Sequence, residues 1–316
     1  MPFFSVVITL YNKENHIYNT LNSVLRQSFK DFEVIIINDG STDDSPNIVR
    51  AISDNRIQLI DKKNEGVSVA RNLGIKVSKS NYTAFLDADD IWMPDHLKNL
   101  KELIEHFPNC GLYCTAYETF FYNKKVVKGV YSGINHDFFG VVPNYFENSL
   151  VDGIALTSAV GIPKQIFDRH GYFNVDLRSG QDTELWTKIA LKESVAFTSK
   201  VTMRRVIGDS DYHLSKSDKR TDKIALLEHF KIYEKNNPSL KRYMDNNRYS
   251  IALDQKMVGD IDNFKRIRQG INSTNLNKKQ RILLKLPGST LNFLKKIQVF
   301  LIKKNMYLSA FRKGVN

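Results

Sequence analysis

Four short runs of β-branched and aromatic residues, separated by segments long enough for a helix, occupy the first ~115 residues. Phe3–Leu10 reads Phe-Phe-Ser-Val-Val-Ile-Thr-Leu, an unbroken apolar run of the kind a strand buried on both faces requires. Glu33–Ile37, Ile57–Ile60 and Tyr82–Leu86 read as three further strands. Between them, Ile17, Leu21, Val24 and Leu25 recur at helical spacing, with Asn12 as the candidate cap. Further helices are expected from near Pro46, over Val67–Val77, and from near Pro94. Strands alternating with helices of this length demand right-handed crossovers and a mostly parallel sheet. The fold class is therefore α/β.

In such sheets ligands lie beyond the carboxyl ends of the strands. That rule gathers Tyr11 and Asn12, Asp39 to Ser41, and Asp87 to Asp90 at one edge. Asp87, Asp89 and Asp90 are three carboxylates within four residues, and carboxylates so placed repel one another. Hard divalent cations take oxygen ligands and suit such a cluster. The competing reading is a polar loop leading into the next helix.

Past Thr115 the pattern loosens. Tyr117–Tyr122 and Val126–Tyr131 can pair across Asn123-Lys124-Lys125, and Gly, Asn and aromatic residues follow to residue 150, as in a flap or acceptor-binding loops. Gln181–Lys192 is expected as a helix with Leu185, Trp186, Ile189 and Ala190 on its apolar face. Lys219–Lys235 is another, with more from Ser239 to Gln269. Cys110 and Cys114 share one face of a strand at i and i+4. No second ligand pair follows, so buried free thiols are preferred to zinc. They also fit a reducing compartment.

The strand-end motifs resemble those of family 2 glycosyltransferases. Ser5–Asn12 (Ser-Val-Val-Ile-Thr-Leu-Tyr-Asn), Asn38–Asp43 (Asn-Asp-Gly-Ser-Thr-Asp), Asn64–Asn72 (Asn-Glu-Gly-Val-Ser-Val-Ala-Arg-Asn) and Phe85–Asp90 (Phe-Leu-Asp-Ala-Asp-Asp) appear in that family's order and spacing. Gly180–Trp186 (Gly-Gln-Asp-Thr-Glu-Leu-Trp) is similar to its later Gly-Glu-Asp motif. The resemblance covers about residues 3–215. It implies a GT-A fold: a Rossmann-like, mostly parallel sheet flanked by helices. It further implies a nucleotide-sugar donor, most readily a UDP-sugar, a divalent cation (Mg²⁺ or Mn²⁺), and inversion at the anomeric carbon. The acceptor class it implies is a glycan or lipid-linked glycan of a cell-surface polysaccharide. Residues 1–215 would form the catalytic domain, 1–115 its donor half and 116–215 its acceptor half. Residues 216–316 would form a helical, basic extension.

Carried over position by position, the resemblance implies that Thr9, Tyr11, Asn12, Asp39, Arg71, Asp87 and Ala88 bind the donor. Tyr11 can stack on a base, Asp39 can accept from a uracil N–H, and Arg71 is a cation within reach of an acidic partner or a diphosphate. Asp89 is the implied metal ligand, and Asp90 is either a ligand or a helix cap. Asp182 takes the place of the catalytic base; Asp side chains are ordinarily ionised at neutral pH and can accept a hydroxyl proton. Its alternative role is a helix N-cap, and Glu184 is a second candidate base. The chain departs from the family at Thr9-Leu10, where Pro-Thr is usual, and at Gln181, where Glu is usual. Ile207 stands where many relatives carry a His, and His213 is the nearest substitute as a metal ligand.

The formal net charge is +12, with 46 basic side chains. Thirteen of these follow Asp262, where no acidic residue occurs, leaving 33 basic against 34 acidic in residues 1–262. A neutral body argues against a nucleic-acid partner. In the tail, Lys/Arg pairs alternate with apolar runs. Leu294, Ile297, Leu301 and Leu308 cluster on a helical wheel, with Lys304 among them. Surface helices at anionic membranes look like this; a helix packed on the body with snorkelling lysines is the alternative. No run reaches the ~18–20 apolar residues of a membrane span, and no signal peptide is evident. The expected place is the cytoplasm, peripheral on the inner face of the membrane. Two other functions share part of this pattern: a nucleotidyltransferase and a non-catalytic nucleotide-binding scaffold. Donor sugar, linkage and oligomeric state are not readable.

Overall fold

The computed structural model describes residues 1–121, 124–207, 220–304 and 306–311. The centre of the first half is β1 (Phe4–Leu10), almost wholly buried as its continuous apolar run requires. After α1 (Ile17–Leu25), β2 (Phe32–Asp39) pairs with it in parallel. α2 (Ser45–Arg50) leads to β3 (Ile57–Lys62), parallel to β2, and α3 (Val67–Val77) crosses back to β4 (Tyr82–Asp87), parallel to β1 on its other side. Gly74 lets α3 lie directly on the sheet, since a Cβ there would stand 2.4 Å from Val7 Cγ1. Phe4, Ile8 and Leu10 are inaccessible to solvent. Each such side chain contributes about 1.5–3 kcal/mol of burial.

The second half extends the same sheet. β5 (Ile91–Trp92) precedes α4 (His96–His106) and the long β6 (Cys110–Phe121). β7 (Val126–Lys128), β8 (Phe139–Val141) and α5 (Tyr145–Asn148) follow. A 3-10 turn, Thr157–Ala159, leads into β9 (Val160–Pro163), α6 (Lys164–His170), α7 (Gln181–Ala190) and β10 (Ser194–Ile207). The sheet order is β3-β2-β1-β4-β9-β6-β10-β5, with β7 on β6 and β8 on β10. The long pairings, including β6 with β10, are parallel and the short ones antiparallel. The expected hairpin forms over Glu118–Phe120 and Val126–Lys128; Tyr122 and Asn123 lie outside the described residues. Cys110 and Cys114 are buried and free.

Helices follow: α8 (Arg220–His229), α9 (Lys231–Glu234), α10 (Pro238–Met257), α11 (Ile261–Gln269), α12 (Lys278–Lys285) and α13 (Gly288–Lys303). α10 packs on α5 and so joins this region to the sheet. The single helix expected over Lys219–Lys235 breaks at Phe230, which turns fully into the core. Leu308 does not join the tail's helical stripe, because α13 ends at Lys303 and Leu308 is exposed beyond it. Among the described residues, no helix is long and apolar enough to cross a membrane.

Candidate active site

Parallel register fixes the site. Thr9 stands opposite both Ile37 and Asp87, Leu10 opposite Asn38, and Asp39 opposite Lys62. The carboxyl ends of β1, β2 and β4 therefore finish level, and their polar residues share one edge. Tyr11 leaves β1 with 40% of its surface exposed. Asn12 takes φ 50°, a conformation Asn tolerates better than most residues. Its backbone N–H donates to Ser41 Oγ at 3.2 Å, and its Oδ1 accepts from Thr42 N at 2.8 Å. Asn12 thus ties the β1 loop to the β2 loop and does not cap α1, whose N-cap is His16. The sequence expectation fails because the side chain is spent across the edge, four residues before the N-cap of the helix.

Asp39 is buried. Its Oδ1 accepts from Lys62 Nζ at 2.6 Å and from Glu65 N at 3.0 Å; its Oδ2 accepts from Gly66 N at 2.9 Å. Gly40 beside it has φ 73°, and a Cβ would lie 2.8 Å from Asn64 N, so only glycine closes this turn. Arg71, on α3 and 5% exposed, donates from Nη2 to Asp87 Oδ1 at 2.7 Å, with its guanidinium over the Phe173 ring. Its Nη1 is buried without a protein partner. Asp87 keeps 38% of its side chain exposed. Ala88 is buried in the core, and its carbonyl accepts from Thr20 Oγ1. Asp89 Oδ2 pairs with Lys13 Nζ at 2.7 Å. His16 lies near enough for Asp89 to favour its charged form, yet burial outweighs this and lowers its pKa.

Asp90 points inward. Its Oδ2 accepts from Ser158 Oγ at 2.6 Å and its Oδ1 from Val206 N at 3.1 Å. Burial, then the charges of Asp89 and Asp87, push its carboxyl well above the usual range. Asp90 is therefore neither a cap for α4, whose N-cap is Asp95, nor open to a ligand. The 3-10 turn makes the link to the other carboxylate. Ser158 Oγ also accepts from Asp87 N at 3.1 Å, while Thr157 Oγ1 reaches Asp182 Oδ2 at 3.4 Å. Asp182 sits in the first turn of α7, behind Gly180 in the left-handed conformation (φ 82°), and is not the N-cap. Its Oδ1 accepts from Thr183 N, and the side chain borders a cavity with Tyr117 and Trp186. Glu184 is 1% exposed and paired with Lys188 at 2.5 Å, which removes it as an alternative base. Ile207 ends β10, and His213 lies outside the described residues.

A hard cation fits this edge in a particular way. Among the described residues no three His, Cys, Asp or Glu side chains form a cage. Mg²⁺-type sites commonly use only one or two carboxylates and take the rest from substrate phosphates and water. Asp89 and the half-open Asp87 meet that requirement, provided Asp89 shares or releases Lys13. Sequence reasoning missed Lys13, Lys62, Thr157 and Ser158. For the two lysines a signal existed: each stands at or just past a parallel strand's carboxyl end. The hydroxyls of the 3-10 turn carry no periodic signature.

The sequence pattern of Glycosyl transferase family 2 matches residues 5–151. The chain is 33% identical over 197 residues to the Escherichia coli enzyme UDP-Glc:alpha-D-GlcNAc-diphosphoundecaprenol beta-1,3-glucosyltransferase WfaP, covering 61% of this chain and 72% of that protein. It is 35% identical over 202 residues to an uncharacterized glycosyltransferase of Rickettsia felis, covering 62% of this chain. The chain spans under a third of the length of that protein and of similar Rickettsia relatives, at 31%, 31% and 29%. In three dimensions it is similar to S. aureus TarS 1-349 in complex with UDP-GlcNAc, with a TM-score of 0.59 at 19% identity over 85% of this chain and 92% of that one. That likeness shows the fold, a GT-A-like mixed α/β sheet flanked by helices.

Proposed function

The chain belongs to glycosyl transferase family 2, and on that premise we propose that it moves a sugar from a UDP-sugar to a hydroxyl of a glycan or lipid-linked glycan, with inversion, in cell-surface polysaccharide synthesis. One observation carries the reading. Consecutive hydroxyls of one turn bind Asp182 and the acidic strand end, Thr157 on the first and Ser158 on Asp90 and Asp87. A proton acceptor is thereby held one residue's step from a phosphate-binding edge. Residues 1–115 would hold the donor, 116–215 the acceptor, and 216–316 the membrane-proximal extension.

In this reading Tyr11 stacks on the donor base. Asp39 uses its remaining acceptor site for a ring N–H, three of roughly four being filled already. Thr9, Asn12 and Ala88 border the donor, Ala88 through its backbone alone. Arg71, paired with Asp87, supplies positive charge beside the diphosphate. Family members generally use a divalent cation. Asp89, with Asp87 beside it, would hold Mg²⁺ or Mn²⁺, which when bound neutralises charge on the departing diphosphate. Asp182 takes the proton of the acceptor hydroxyl as its oxygen bonds to the anomeric carbon. The bond from that carbon to the β-phosphate oxygen breaks, and its electron pair leaves with UDP. Attack on the face opposite the leaving group inverts the centre.

Incubation with a panel of UDP-sugars, with Mn²⁺ or with EDTA, tests the reading. UDP should appear without pyrophosphate, and EDTA should abolish its release. Asp89→Ala should reproduce that loss in a protein that still melts cooperatively. Full turnover in excess EDTA would end the metal assignment. Pyrophosphate release from a nucleoside triphosphate would make the protein a nucleotidyltransferase, and binding without turnover a scaffold.

The tail favours a peripheral membrane position. On and beyond α13, Phe293, Val299, Phe300, Met306 and Leu308 are exposed among Lys295, Lys296, Lys303 and Lys304. Apolar side chains amid lysines match the chemistry of an anionic lipid surface, here the inner leaflet. Removing residues 290–316 should abolish co-sedimentation with phosphatidylglycerol vesicles; equal sedimentation of both forms would overturn this placement.

A further inference from the structure

Beside Asp182 opens a cavity of about 260 Å³. One wall comes from the sheet region: Tyr117 on β6, and Asp182 and Trp186 on α7. The facing wall is α10, which contributes Tyr243, Asn247 and Ser250 at i, i+4 and i+7, one face of the helix. α10 lies well outside residues 5–151, where the family pattern falls. Asp182 and Tyr243 both line this space, and burial, then the charge of Asp182, raises the Tyr243 phenol to about 12.

The lining is selective. Among the described residues Asp182 is its only charged side chain, and no Lys or Arg of these borders it. A phosphate or uronate would find no counter-ion among these residues and would meet a carboxylate. An uncharged ring with hydroxyls on its rim and C–H groups on its faces fits better. Trp186 and Tyr117 are aromatic, and Ser250 Oγ and Asn247 Oδ1 can accept hydrogen bonds, while Ser250 Oγ–H and Asn247 Nδ2 donate to the Asn246 and Tyr243 carbonyls of α10. The Trp186 indole Nε1 is buried without a partner and so lacks an acceptor.

We propose that this cavity is the subsite for the receiving sugar of the acceptor, that it takes a neutral pyranose, and that α10 selects it. The inference rests on the transfer reading for the role of Asp182, but its test does not. Saturation-transfer NMR on the full chain, without donor, uses methyl glucopyranoside, methyl galactopyranoside and methyl 2-acetamido-2-deoxyglucopyranoside as probes. Methyl glucuronide is the charged control. At least one neutral glycoside should be saturated, and the glucuronide at least about ten-fold more weakly, because its carboxylate would be buried beside Asp182. Ser250→Phe should remove the signal by filling the space from α10. Gly153→Val should do the same from the opposite rim, where an added Cβ meets only the Ala155 carbonyl oxygen, at 3.4 Å. In the unmodified chain the bound glycoside should also shift tryptophan emission through Trp186, which keeps the test decisive if either variant misfolds. Absence of any neutral glycoside signal, preference for the glucuronide, or full signal in both folded variants would overturn the subsite. Glycoside binding with no turnover of any nucleotide-sugar would sink the transfer reading and leave the subsite standing.

Discussion

The acidic edge of the parallel strands and the charge cluster under α10 use the same chemistry to opposite ends. At the edge, Asp39, Asp87 and Asp89 each meet a cation, Lys62, Arg71 and Lys13. Asp87 stays 38% exposed, and Asp39 keeps two backbone N–H donors besides its lysine. Under α10, Arg248 pairs with Glu234 and Asp245, and Lys241 joins both carboxylates. Asp245 is inaccessible to solvent and also accepts from Asn272 N at 3.1 Å and Asn275 Nδ2 at 2.8 Å. The first set can trade partners with a ligand because solvent or amides hold what a cation leaves. The second has its carboxylates and Arg248 buried and binds α9, α10 and the turn after α11 together. What an ion pair does follows from its burial and its remaining partners, not from its composition.

The largest effect should come at Asp182, on the seam between the two regions. Asp182→Asn keeps the size and most of the contacts to Thr157 and Thr183, so folding and donor affinity should survive. The amide cannot take a hydroxyl proton, and transfer should fall by roughly 10²–10⁴-fold. Melting temperature, donor affinity and transfer rate measured on one sample separate catalysis from structure. A lowered melting temperature with normal turnover per folded molecule would put Asp182 with the structural charges.

Arg248→Ala should come next, read as stability rather than rate. It leaves Glu234 and Asp245 buried with only Lys241 as cation, a situation that typically costs about 3–5 kcal/mol. Urea unfolding followed by circular dichroism measures it. A loss under about 1 kcal/mol, the range of exposed pairs, would erase the contrast between the regions.

Legibility in the sequence followed the same division. β1, β2, α3 and β4 were readable because a strand buried on both faces leaves a continuous apolar run, and a helix crossing it leaves a period. The convergence of Tyr11, Asp39 and Asp87 followed from parallel topology alone. The pairing of β6 with β10 was not readable: the register Cys114↔Phe197 joins residues far apart, and nothing local to either strand encodes the partner. Asn12 misled because its helix-capping chemistry serves equally to join two loops. The turn holding Asp182 to Asp90 was hidden for a similar reason. Thr157 and Ser158 are ordinary hydroxyls until the fold places a carboxylate before each. The cavity required α10, whose amphipathic pattern predicts a packed helix but not which face meets Asp182.

The smallest effect, and the one that sharpens the comparison most, should come from Lys62→Met. Lys62 and Arg248 look alike as contacts, since each is a mostly buried cation on a buried carboxylate, with side-chain exposures of 12% and 6%. They differ in what remains after removal. Asp39 would still accept from Glu65 N at 3.0 Å and Gly66 N at 2.9 Å, and Gly66 is the N-cap of α3, where the helix dipole favours a negative charge. Hydrogen bonds from backbone N–H groups can stabilise a carboxylate without any cation. The methionine also preserves most of the apolar stem. The expected cost is therefore about 1 kcal/mol, the upper end for exposed pairs. Arg248→Ala should exceed it several-fold under the same urea titration. Equal losses would show that the cation, not the amides, holds Asp39, and the strand edge would then be as rigidly committed as the cluster under α10.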